Sequence, residues 1–156
     1  MRCRYVRFCE VFSEGDEAVG LWSAPMADDF TWARHFPPDC PPPASRSSDG
    51  KRVYRFVRED PPSEWDVMPH YERGKADGCE ARGLSVFCSM ADIRRARRIS
   101  RAFRKHRVAS GTVPTGEGRI KSTPSRTHSG HHTLWLKRDG WRRAAAWLSV
   151  DEDDSQ

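Results

Sequence analysis

The sequence has no apolar run approaching the ~18 residues that a membrane-spanning helix requires. Its first residues, MRCRYVRFCEVF, are too charged, and their apolar part too short, for a secretory signal. A cytoplasmic location without membrane association is therefore expected. No CxxC pair occurs among the five cysteines. Their odd number and scattered spacing predict reduced thiols, with Cys9 and Cys88 acting as small hydrophobes in apolar runs. Zinc-finger, recognition-helix and RNP-type patterns are all missing, so sequence-specific reading of nucleic acid is not indicated. There is no GxSxG elbow and no phosphate loop: SGTVPTGEG lacks the lysine and the following helix. No internal repeat is present.

Lysine is scarce. Of 27 basic residues only five are Lys, leaving 22 Arg, a bias that genome composition alone can produce. Acidic residues are scarce in one region only. Residues 1–92 carry 12 basic and 16 acidic groups, a balance of −4, whereas residues 93–150 carry 15 basic and 2 acidic groups, a balance of +13. Asp151, Glu152, Asp153 and Asp154 return −4, for a net +5. Such a split suggests a partner of opposite sign or an internal clasp.

With 156 residues, 37% hydrophobic content and a mean hydropathy of −0.81, one domain with a modest core is expected. Residues 1–36 read as an N-terminal segment packing on, or mobile beside, the domain. Within it residues 2–12 are a candidate strand, and a short helix beginning near Pro25 is expected to run through Phe36. The stretch PPDCPPPASRSSDG, residues 37–50, reads as a Pro/Ser-rich linker. The main domain is expected over 51–150, followed by an acidic tail at 151–156. Strands are expected at KRVYRFV, at Leu84–Phe87, at HRVASGTV, at GRIKST and at HHTLWLK, from their β-branched and aromatic content. A short helix or loop follows the Pro61-Pro62 stop, with Ser63 as its cap. WRRAAAWLSV reads as a short last helix. The fold class is α+β: a small mixed or antiparallel sheet of about five strands with two or three helices, one of them strongly basic.

That basic helix is the most distinctive feature. Ser89 suits an N-cap, and Asp92 three residues later suits the positive end of the helix dipole. At about 100° per residue, Ile93, Ala96, Ile99, Ala102 and Phe103 share one side. Arg94, Arg97, Arg98, Arg101, Arg104 and Lys105 share a band on the other, with Arg95 just outside it. Few acids at i±3 or i±4 neutralise these cations. Two readings compete: phosphate-backbone binding, or a solvated face partly neutralised by the acidic half of the chain or by its tail. An acidic protein would fit the same surface, as in a toxin–antitoxin or other defence-system pair.

His128, His131 and His132 form the densest titratable cluster. Adjacent residues of a strand face opposite ways, so at most one of His131 and His132 joins His128. No metal site and no cofactor is expected from them. Either one His acts as a general acid–base near neutral pH, or one packs under the sheet and one is exposed. Ser85 reads as a small residue of a buried strand. Asp60, Glu64, Asp66 and Glu72 read as surface charges around a proline turn.

The order VYRFVREDPPSEWD, CEARGLSVF, a helix, a strand and HHTLW resembles a family of short uncharacterised bacterial proteins over residues 52–137. The chain is also distantly similar to ADP-ribosyltransferase-like folds. That second resemblance implies a phosphate-gripping Arg55, with Ser85 on the second strand and His131 or His132 taking part in catalysis, because the HHT strand lacks the late-strand Glu of those enzymes.

Overall fold

The computed structural model describes residues 32–151. Seven strands form one antiparallel sheet: β1 (Arg46–Ser47), β2 (Arg52–Val57), β3 (Leu84–Phe87), β4 (Arg107–Thr112), β5 (Gly118–Ser122), β6 (His131–Leu136) and β7 (Ser149–Val150), in the order β1-β5-β6-β3-β2-β4-β7. The five inner strands are those expected from the sequence. The sheet is larger than expected because a two-residue strand closes each edge, β1 on β5 and β7 on β4. Among the described residues three α-helices accompany it: α1 (Glu64–Val67), α2 (Met90–Ile99) and α3 (Gly140–Trp147). Among the described residues no helix is long and apolar enough to cross a membrane.

The period-two alternation of the strands sorts side chains onto two faces. On one face Val53, Val57, Leu84, Val86, Ile120, Leu134 and Leu136 meet Val67 of α1 and Trp141, Ala144 and Leu148 around α3. On the other, Phe87 and Val108 meet Ile93 and Ala96 of α2, with Tyr54, Phe56 and Met90 around them. The sheet is thus covered on both sides, and the second cluster fixes where α2 sits.

A buried carboxylate shapes the turn after β2. Asp66, 5% exposed, accepts from the backbone N–H groups of Arg58 (2.9 Å), Glu59 (3.2 Å) and Ser63 (3.2 Å). It is not the surface charge expected from the sequence: a carboxylate can be buried when backbone donors replace its hydration. Ser63 does cap the short helix α1.

Three sequence expectations are corrected at the start of the described chain. Residues 32–36 end in a turn, with Phe36 N–H donating to the Ala33 carbonyl (2.9 Å), and not in a helix; the rest of that expected helix, and the strand at 2–12, lie outside the described residues. The 37–50 segment holds β1, and its Ser45 and Ser48 are buried. Ser45 Oγ donates to the Pro42 carbonyl at 2.6 Å, a pairing that proline content does not reveal, whereas Ser48 Oγ is buried without a hydrogen-bond partner among the described residues. Finally, Cys40 and Cys79 are joined in a disulfide instead of being free thiols. Beside it Arg82 lies over the Tyr71 ring (3.9 Å) and donates to the His35 carbonyl (2.7 Å), tying residues 35–40 to the 71–82 loop.

Candidate functional site

Helix α2 starts where the sequence places it. Ser89 Oγ accepts from the Asp92 N–H (3.1 Å) and donates to Asp92 Oδ2 (2.6 Å), a closed local cap. Its end differs. The expected band requires helix through Lys105, but Ser100 is extended (φ −101°, ψ 118°) and a separate 3₁₀ turn, Arg101–Phe103, follows. The turn places the Phe103 ring flat on Phe56 (4.4 Å between centroids, 16° between planes). Aromatic packing outside the helix therefore overrides the local helical pattern. Ile99, the last residue of α2, is half exposed instead of facing the core.

The cations are rearranged accordingly. Arg97, expected in the outer band, is partly buried: its Nη2 donates to the His106 carbonyl (2.7 Å) and its guanidinium lies 5.8 Å over the Phe56 ring. Arg94, Arg95 and Arg98 on α2, and Arg101, Arg104 and Lys105 on and after the turn, are exposed. Among the described residues, none forms an ion pair or side-chain hydrogen bond with these six. The nearest acid in sequence, Asp92, is engaged by Ser89.

The tail begins elsewhere. Asp151 accepts from Ser110 Oγ (2.8 Å) and lies 3.8 Å from Arg52, beside the β4–β7 edge. The first acid of the expected clasp is thus held by the sheet; Glu152, Asp153 and Asp154 lie outside the described residues.

The residues implied by the ADP-ribosyltransferase likeness divide between the two faces. Arg55 alternates with Val53 and Val57 on the α1–α3 face, and His132, paired with Val86, shares it. Ser85 pairs with Thr133, and Phe87 with His131, on the α2 face. Arg55 is 9% exposed. It is spent on structure: Nε donates to the Asp66 carbonyl (2.7 Å) and Nη1 to the Ser85 carbonyl (2.5 Å). Burial, with the Arg73 charge adding to it and Asp66 opposing, lowers its pKa to about 10. A guanidinium so enclosed offers no fork to a phosphate.

On the α2 face the histidines make a second constellation. His131 Nδ1 lies 2.9 Å from the Thr123 carbonyl oxygen and 3.0 Å from Thr123 Oγ1. A carbonyl only accepts, so Nδ1 carries the proton and Nε2 presents its lone pair. Burial lowers the His131 pKa; the Thr123 carbonyl and Glu80 oppose this, and His132 and His128 reinforce it. His128 and His131 both stand edge-on to Phe87, at 6.5 and 6.0 Å, and the His131 N–H donates to the His128 carbonyl (3.2 Å). His128 also leans on Phe103 at 5.6 Å, which brings the cluster against the cationic turn. His132 donates instead through Nδ1 to the Gly130 carbonyl (3.0 Å) on the far side of the strand. Among the described residues no three His, Cys, Asp or Glu side chains converge as a metal-binding set.

The density of histidines was visible in the sequence. The Thr123 anchor was not, because it depends on Thr123 standing opposite His131 across the sheet. Comparison with family models, with curated proteins and with solved structures gives no match for this chain.

Proposed function

We propose that this protein binds the phosphate backbone of a nucleic acid through Arg94, Arg95, Arg98, Arg101, Arg104 and Lys105. The observation that carries the reading is that all six are exposed within twelve residues, with no acidic partner among the described residues. Guanidinium groups in this state repel one another, and a polyanion relieves the repulsion while releasing its own counterions. The surface holds no base-reading motif, so affinity is expected to depend on charge and little on sequence.

The test is a salt titration of binding to a labelled single-stranded oligonucleotide. Contacts to about six phosphates weaken affinity roughly 100- to 1,000-fold between 50 and 200 mM salt. Salt-independent binding, or none at low salt, rejects the reading. Tight capture of an acidic protein with no oligonucleotide binding would transfer the surface to a protein partner.

A further inference from the structure

The histidine cluster on the α2 face is left unused by backbone binding. It adjoins the cationic turn through Phe103, which contacts His128 and is flanked in sequence by Arg101, Arg104 and Lys105. The loop carrying His128 is held down at its other end too. Gly130 lies so close to the side chain of Asp92, in the first turn of α2, that a Cβ there would collide with it. The two imidazoles are therefore fixed relative to the surface that would carry the phosphates.

We propose that His131 and His128 form a general acid–base pair that cleaves single-stranded RNA at phosphodiesters bound along the α2 surface. This inference rests on the nucleic-acid reading above. His131 is a fixed base: Thr123 holds its Nδ1–H, and among the described residues Nε2 makes no hydrogen bond. Both residues are half-buried, not enclosed, and their rings stand side by side against Phe87. Burial favours the neutral, proton-accepting form of His131.

In the reaction, His131 Nε2 takes the proton of a ribose 2′-hydroxyl as that oxygen attacks the adjacent phosphorus. The bond from phosphorus to the 5′-oxygen breaks, and the leaving oxygen takes a proton from the protonated Nε2 of His128. The products are a 2′,3′-cyclic phosphate and a 5′-hydroxyl. No electrons are transferred and no co-reactant is needed. The cations of the turn stabilise the charge that develops on the phosphoryl oxygens. DNA, which lacks the 2′-hydroxyl, is bound but not cut.

The experiment incubates the full chain with matched RNA and DNA oligonucleotides, with mass analysis of the ends and parallel binding measurements. RNA fragments ending in cyclic phosphate, intact DNA, and loss of cleavage by at least about 100-fold in His131→Gln and in His128→Gln with unchanged RNA affinity are expected. RNA that is bound but never cut overturns this inference and leaves the binding reading standing. Cutting of DNA, or full activity in folded His131→Gln, also overturns it. If neither RNA nor DNA is bound or cut, both readings fail. The RNA–DNA comparison on the unaltered protein decides the matter even if a variant does not fold.

Discussion

The ring of Phe103 lies flat against Phe56, 4.4 Å away, and this contact bends the chain out of helix at Ser100. It decides how the cations after Ile99 are presented. Phe103→Ala removes the stack along with part of the cover over Phe56. Because Phe103 is only half buried, a loss of about 2 kcal/mol is expected, below the 3–5 kcal/mol typical of a fully buried ring. Denaturant unfolding measures it, and a change under about 0.5 kcal/mol would mean that the stack does not set the turn.

Asp66 tests the turn after β2. Asp66→Ala leaves the N–H groups of Arg58, Glu59 and Ser63 without their acceptor. Each unsatisfied donor costs roughly 1–3 kcal/mol, less where water reaches it. A loss of at least about 3 kcal/mol in urea unfolding is expected. Asp66→Asn keeps one acceptor oxygen and should cost less.

The five inner strands were legible in the sequence because their β-branched and aromatic residues sit between clear turn signals. The start of α2 was legible because Ser89 and Asp92 form a local cap. What was not legible depends on partners distant in the chain. The end of α2 depends on Phe56, 47 positions before Phe103. Arg55 reads as an available cation, yet its position between Val53 and Val57 commits it to the buried face, where carbonyls of Asp66 and Ser85 receive it. Edge strands of two residues carry too little pattern to register. The histidine cluster was visible as a density of imidazoles, but the face each one occupies and the tautomer of His131 follow from strand register.

The Cys40–Cys79 bond closes a loop with a sequence separation of 39. Constraint of the unfolded chain by a loop of that size is worth up to about 4 kcal/mol. Reduction, or Cys40→Ser with Cys79→Ser, should lower the melting temperature clearly. The loop from Cys40 to Cys79 contains β1, β2 and α1, so loss of the bond should increase proteolysis first around residues 35–45. An unchanged melting temperature and digestion pattern would contradict a stabilising role.

Stability should depend on pH through His131 and His70. Burial lowers both pKa values, with neighbouring cations adding to the effect at His70. Between the lowered folded value and the ordinary ~6.5, the unfolded chain binds more protons than the folded one, so stability rises with pH. There is no cost above about pH 7, and the cost grows as pH falls below about 6.5. Unfolding free energies measured from pH 5 to 7.5 should rise, and the slope should flatten in His131→Gln. An equal slope in that variant would show that His131 does not carry it.

The most direct measurement is the salt dependence of RNA affinity in the unaltered chain and in a variant with Arg94, Arg98 and Arg101 replaced by Gln. Each phosphate contact removed should reduce the slope of log affinity against log salt by about 0.7 for a single strand. Three lost contacts predict a slope shallower by about 2, with the fold preserved by circular dichroism. Equal slopes in the two proteins would contradict phosphate binding by this surface.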